Sequence, residues 1–274
     1  MNNKMKKTKM KQLSRLIAIM TALVLASSQA VSADGWGSFK GKFVYDGKAS
    51  KPTAIKVAAD PQFCGKFDLV DELVVVNPKN GGVKNVIVYL YLTSTEKPPA
   101  VHPSYAKAAK VVRIDNKDCR FEPHIVTMTL DQTLEIGNVD KVSHNSKLDV
   151  IDMNNISINP IIPAGKSYLH KYNVEERLPN PLSCSIHGWM KGYILVRKSP
   201  YFAVSDEDGN FEIKDLPEGE WTFRLWQENV GYVQKVKLNG KSTTWRGGRV
   251  KAKISAGKTF DLGEVKSDFV PIKR

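Results

Sequence analysis

Alternation of apolar and polar residues with a period of two, interrupted every few residues by Gly, Pro, Asn and Asp, constrains this chain more than any other feature. Leu134-Glu-Ile136, Phe211-Glu-Ile213 and Trp221-Thr-Phe-Arg-Leu225 each place apolar side chains on one face of an extended segment. Val86-Ile-Val-Tyr-Leu-Tyr-Leu92 is a β-branched and aromatic run bounded by Asn80-Gly-Gly82 and Pro98-Pro99, the pattern of a buried strand between turns. Asp46-Gly47, Asp208-Gly209, Pro217-Glu-Gly219 and Asn239-Gly240 supply further turns. Pro and Gly recur too often for long helices, and Pro103 to Lys110 alone reads as a helical turn or two. The pattern predicts an all-β protein built from sandwiches.

Residues 1–33 carry a different pattern. Lys4, Lys6, Lys7, Lys9, Lys11 and Arg15 precede an apolar stretch, Leu16 to Ala26, that is too short to span a bilayer, and Val31-Ser-Ala33 has the small-x-small form of a cleavage site. The expectation is a cleaved signal peptide over 1–33 and a mature protein that is periplasmic or secreted, not an integral membrane protein after cleavage. Removing those six basic residues from the total of 41 leaves 35 against 28 acidic ones, a charge of +7. The remaining basic residues are scattered, which argues for a solvated surface and against a nucleic-acid partner. A 42% hydrophobic composition excludes a disordered chain, and three cysteines in 274 residues exclude a small disulfide scaffold.

Cys184-Ser-Ile-His187-Gly-Trp-Met190 brings a thiol, an imidazole and a thioether within seven residues, just before the apolar run Tyr193-Ile-Leu-Val196. Soft sulfur suits Cu(I) and imidazole suits both copper oxidation states, so this set on a loop closing into a strand points to copper. His144-Asn145, about forty residues upstream and after the Asn138-Val-Asp140 turn, supplies a second imidazole. Zinc also accepts Cys and His, but a thioether ligand argues against it. No Ser-His-Asp order, phosphate-cradling glycine loop or paired acidic motif stands out, so an enzyme is the less favoured reading.

At these residues the chain resembles the cupredoxins, blue copper proteins of the amicyanin and plastocyanin type. The Cys-x-x-His-x-x-Met spacing is similar to that of amicyanin, with Ile186 and Gly188 standing where amicyanin-like loops carry prolines. The stretch Phe121 to Ile136, followed by Asn138-Val-Asp140 and His144-Asn145, is similar to the family's two strands, turn and first ligand. The resemblance covers roughly residues 101–198. It implies one copper ion held by His144, Cys184 and His187 with Met190 as a weak axial ligand, and Asn145 tying the two ligand loops together. It further implies one-electron transfer with His187 as a near-surface exit, Gly188 and Trp189 forming the docking patch, and an unidentified redox partner protein. With Cys184 as a metal thiolate, Cys64 and Cys119 remain as a pair, and a disulfide between them is expected in an oxidising compartment. His102, His124 and His170 read as structural or exposed, His124 being the one placed to serve a second site.

The turns around Asp206-Glu-Asp-Gly209 and Leu216-Pro-Glu-Gly219, with Gly41 to Gly47 and Val86 to Leu90, resemble the carboxypeptidase regulatory-like (transthyretin-like) domain. Strands flanking those two turns are expected to form hairpins. The resulting expectation is a Greek-key cupredoxin sandwich inserted into, or in tandem with, a second small β-sandwich: 34–100 and 199–274 as the two parts of the flanking sandwich, 101–198 as the cupredoxin domain. Two other functions remain open at this point: a copper-binding accessory or storage protein without a redox role, and a cell-surface glycan- or protein-binding module using aromatics such as Trp226 and Trp245.

Overall fold

The computed structural model describes residues 35–49 and 51–270, so the signal peptide expected over 1–33 lies outside the described residues. The fold is all-β, with helical structure among the described residues limited to a four-residue helix at Pro61–Cys64 and two short 3₁₀ turns, Pro103–Lys107 and Arg246–Gly248. Proline at the first helical position starts both Pro61–Cys64 and Pro103–Lys107, and neither segment has the length to propagate on its own.

Two pairs of sheets enclose two cores. In the first pair, Trp36–Tyr45 lies between Asn210–Pro217 (antiparallel) and Thr259–Ser267 (parallel), with Lys235–Leu238 and Lys241–Thr244 beyond. The facing sheet orders Phe202–Val204, Ile87–Leu90, Gly219–Gln227 and Gly231–Tyr232, with Arg249–Ile254 also pairing Gly219–Gln227. Strands from before residue 91 thus pair directly with strands from after residue 201. Their core is aromatic and branched: Phe39, Phe43, Val88, Phe211, Ile213, Phe223 and Leu225 are all buried in it.

In the second pair, Ser167–His170, Thr133–Asn138, Val111–Lys117 and Arg120–Glu122 form one sheet, and Ile125–Thr129, Lys191–Arg197, Asn180–Ser183 and Lys147–Leu148 the other. Ile114, Phe121, Leu134 and Ile136 meet Val126, Met128, Leu182, Ile194 and Val196 between them. A third cluster joins the two sandwiches through Ile87, Tyr89, Ile125, Leu195 and Trp226. This explains why two runs fail to alternate. Ile87-Val-Tyr-Leu90 and Tyr193-Ile-Leu-Val196 send alternate side chains into two different apolar environments, so every position is apolar.

The hairpins expected at 206–209 and 216–219 do not form. Phe202–Val204 and Gly219–Gln227 belong to one sheet and Asn210–Pro217 to the other, so both turns cross between sheets. The cause lies in the core, where Phe211, Ile213 and Leu216 must face Phe223 and Leu225 across the sandwich rather than lie beside them. Asn239-Gly240 does make a two-residue hairpin, with positive φ at both residues (48° and 82°) between Leu238 and Lys241.

Candidate metal centre

Cys184 follows the strand Asn180–Ser183 and Met190 precedes Lys191–Arg197, its antiparallel neighbour. The loop between them is closed by its own backbone: Cys184 N–H donates to the Met190 carbonyl (3.3 Å) and Met190 N–H to the His187 carbonyl (2.8 Å). His144 comes from the two-residue strand His144–Asn145, paired with Ile161–Ile162. One donor atom from each of His144, Cys184 and His187 lies within 4.8 Å of the others, and all three residues are buried. Cys184 Sγ is 3.7 Å from His187 Nδ1, and the two imidazole rings stand 4.6 Å apart. Met190 is buried in the same apolar cluster as Cys184. Asn145 ties the segments together: its Oδ1 accepts the N–H groups of Ser185 (2.8 Å) and Ile186 (3.1 Å) and lies 3.3 Å from Cys184 Sγ.

Each histidine is held from behind by a carboxylate. His144 Nε2 is 2.9 Å from Asp140 Oδ2, and His187 Nε2 is 2.9 Å from Asp60 Oδ2. A carboxylate at Nε2 fixes the proton there and turns the Nδ1 lone pair inward. His144 Nδ1 is buried with no hydrogen-bond partner. A buried ring nitrogen left without a partner is costly unless something else occupies its lone pair, and a cation coordinated jointly with the thiolate would do so. The donor set therefore fits a soft-to-borderline metal ion.

Electrostatics agree with that fit. Burial opposes the charged form of His144, but Asp140 and the Cys184 sulfur outweigh it and push its pKa up to about 9. Burial also works against the Cys184 thiolate, yet the neighbouring His144 ring and the backbone N–H groups of His187, Asn145 and Ile186 draw its pKa below the usual thiol range. Burial and the neighbouring charge of His144 lower His187, keeping it a neutral donor.

Asp140 does more than orient His144. Its Oδ1 accepts Asp118 N–H (2.7 Å) and its Oδ2 accepts Cys119 N–H (2.9 Å), and both of those residues adopt left-handed backbone (φ 53° and 56°). Cys119 is bonded to Cys64. Cys64 in turn closes the short helix that begins after Asp60, donating its N–H to the Asp60 carbonyl (2.8 Å). A single covalent bridge thus links the segment that carries Asp60 to the turn that the Asp140 carboxylate holds by hydrogen bonds.

His187 is fully buried, which corrects the expectation of a near-surface exit. Asp60 meets its Nε2 and Trp189 packs edge-on against its ring, and the segment from Asp60 to Leu69 is anchored beside them by the disulfide and by Ile55, Val57, Phe63 and Phe67 packing around Cys64, Leu69 and Cys119. Trp189 packs against that cluster and donates its indole N–H to the Cys119 carbonyl (3.0 Å), so it is part of the cover and not a free docking patch; Gly188 remains exposed. His102, His124 and His170 stay outside the three-residue cluster. His102 caps the Pro103 turn by accepting Ser104 N–H, His170 is buried beside Tyr172, and His124 pairs with Glu228 at 2.7 Å. Trp226 and Trp245 are buried, which removes them as a glycan platform.

No family model and no curated protein matches the chain in sequence. Solved structures that it is similar to include cupredoxins. A purple cupredoxin from Nitrosopumilus maritimus is 25% identical, over 31% of this chain and 98% of that one, with a TM-score of 0.26. A variant of amicyanin in its oxidised state is 16% identical, over 40% of this chain and 98% of that one, TM-score 0.28. A copper-containing nitrite reductase from Thermus scotoductus is 20% identical, over 36% of this chain and only 25% of that one, TM-score 0.30.

The signals for Asp140 and Asp60 differ in kind. Asp140 stands four residues before His144, in the Asn138-Val-Asp140 turn that precedes it, but only the folded turn brings the carboxylate to that imidazole. Asp60 is 127 residues from His187, and no local pattern announces it.

Proposed function

We propose that the chain is an exported mononuclear copper protein that carries one electron, with Cys184, His144 and His187 as principal ligands and Met190 as a weak fourth. The observation that carries the reading is the buried, partnerless Nδ1 of His144 beside a thiol and a second imidazole, each ring backed by a carboxylate. Bound copper would supply a one-electron couple between Cu(I) and Cu(II). The chain's own residues do the rest: Asp140 and Asp60 hold ring orientation, Asn145 fixes the cysteine loop, and the Asp60–Leu69 cover excludes water. A frame held this firmly allows a change of charge with little rearrangement. The bridge between Cys64 and Cys119 supports a location in an oxidising compartment outside the cytoplasm, in line with the segment 1–33 acting as a signal peptide. In this reading residues 101–198 form the copper domain, inserted into one flanking sandwich made of 34–100 and 199–274; the pairing of Trp36–Tyr45 with Asn210–Pro217 and Thr259–Ser267 supports it.

Full burial of His187 favours a second reading, a copper-holding protein that does no redox work. Titrating the metal-free protein with Cu(II) separates the two. Electron carriage predicts an intense visible thiolate-to-copper band that bleaches on reduction and returns on oxidation; a protein that takes up only Cu(I) and stays colourless in air supports storage. Cys184→Ser is expected to abolish the band and leave the far-ultraviolet circular dichroism unchanged. A band that survives this substitution shows the ligand assignment to be wrong.

A further inference from the structure

Where the two sandwiches meet, away from the metal centre, a cleft of about 630 Å³ opens between Tyr89, Tyr91 and Tyr232 on one wall and Arg177, Leu178 and Arg197 on the other. Arg224, in the strand Gly219–Gln227, also lines it. Arg224 is only 8% exposed, and no carboxylate of the described residues pairs with it. Its guanidinium carbon lies 4.0 Å from the centre of the Tyr91 ring and 4.5 Å from that of Tyr232, and Nη1 donates to the Tyr232 hydroxyl at 3.1 Å. Nε has no partner at all.

The neighbouring charges do not resolve this. Arg197, in the facing wall, is satisfied: it meets Glu175 at 3.3 Å and donates to the Glu176 carbonyl at 2.8 Å. Glu175 is therefore engaged, and the Asp152 carboxylate accepts the backbone and side-chain N–H groups of Asn154. The Tyr89 hydroxyl is not a hidden anion, because burial pushes its pKa up to about 12 against the pull of Arg224. Arg177, exposed at the rim, has no carboxylate partner among the described residues either. Aromatic faces return part of what a guanidinium loses on leaving water, but a buried cation is ordinarily matched by an anion.

We propose that this cleft binds an organic molecule bearing a carboxylate or phosphate group, with Arg224 in the wall supplying the counter-charge and Arg177 closing on it from the rim. Both groups share the geometry that a guanidinium recognises, two oxygens on one centre. The cleft is larger than a bare oxyanion, and the tyrosine rings and Leu178 offer apolar surface to the rest of the ligand. Nothing in this proposal depends on copper.

Benzoate and phenyl phosphate, added to the full mature protein at constant ionic strength with chloride as the control, test it and separate the two head groups. Binding to the folded state is expected to raise the melting temperature by about 2–4 °C near saturation. Benzoate alone acting assigns a carboxylate, phenyl phosphate alone a phosphate, and either result supports the site. Arg224→Met is expected to weaken binding at least tenfold by calorimetry, and Arg177→Gln, on the exposed rim, several-fold with no change in the ligand-free melt. If neither compound shifts the melt beyond chloride, or if Arg224→Met binds as well as the parent, the proposal is overturned. Arg224→Met failing to fold leaves Arg177→Gln as the deciding variant, and unchanged affinity there has the same consequence.

Discussion

Asp140→Ala removes one side chain that three donors share, and its cost follows from counting them. The Asp140 carboxylate accepts the N–H groups of Asp118 (2.7 Å) and Cys119 (2.9 Å) and meets His144 Nε2 (2.9 Å), and it is itself 4% exposed. An orphaned buried donor costs about 1–3 kcal/mol. Asp118 is half-buried and can recruit water, so two of the three donors bear most of that penalty. The expected loss is about 2–6 kcal/mol in the metal-free protein on that per-donor scale. Urea unfolding followed by tryptophan fluorescence measures it. Asp140→Asn is the informative partner, since a carboxamide offers one acceptor oxygen where the carboxylate offers two, and it should fall between the parent and the alanine variant. Copper affinity, measured against a chelator, should drop about 10–100-fold in the alanine variant because the His144 ring loses its orienting partner. An Asp140→Ala protein with full copper affinity would refute the view that the carboxylate positions His144. One within about 0.5 kcal/mol of the parent in stability, the size expected of an ordinary surface change, would refute the donor count.

Three further outcomes concern the disulfide, Asp60 and His124. Replacing Cys64 and Cys119 together by alanine opens a loop with a sequence separation of 55 and should cost about 4 kcal/mol on the chain-entropy relation, read by urea unfolding; alkylation of the unfolded, metal-free parent should label Cys184 alone. Asp60→Ala uncovers His187 Nε2 and should hasten loss of bound copper to a chelator at least tenfold, with Asp60→Asn partly restoring it; equal rates in parent and alanine variant would show that the cover does not gate the site. Burial pulls the pKa of His124 down, but the hydrogen bond and charge of Glu228, with the charges of Glu72 and Glu122, outweigh it and raise the pKa above the ordinary histidine value. A raised folded-state pKa stabilises fully below about pH 6.5 and the benefit disappears as pH climbs through the folded value. The stability gap between the metal-free parent and His124→Gln should therefore narrow from pH 5.5 to pH 9, and a gap that widens contradicts the assignment.

The fold class and the two runs that carry the candidate ligand side chains were legible because they are local. Period-two alternation marks strands wherever one face is wet, and Cys184, His187 and Met190 lie within one loop. Two things were not legible. Turns at 206–209 and 216–219 have hairpin chemistry, yet whether a turn pairs its flanks or crosses between sheets is decided by what lies opposite in the core, here Phe211 and Ile213 against Phe223 and Leu225. The position of residues 52–72 beside the Cys184–Met190 loop was equally hidden, since the contacts that fix it, the Cys64–Cys119 bridge, the packing around it and the Asp60–His187 pair, all join residues far apart in sequence.

That cover changes how the candidate centre has to work. A histidine ligand at the surface offers its edge directly to a partner, whereas here the outward nitrogen of His187 ends on Asp60, whose side chain is 44% exposed. A negative charge then stands at the point where an imidazole edge would otherwise lie open. On the electron-carrier reading, the face around Asp60 and the exposed Gly188 is where a partner would approach, and positively charged partners gain most from it at low ionic strength. Oxidation of the copper-loaded protein by a cationic cobalt complex should accordingly slow as salt is added, with Asp60→Asn flattening the dependence. Should anionic ferricyanide be favoured over the cationic oxidant in the parent, after allowing for their driving forces, the electron leaves by some other face and the cover acts only as a shield.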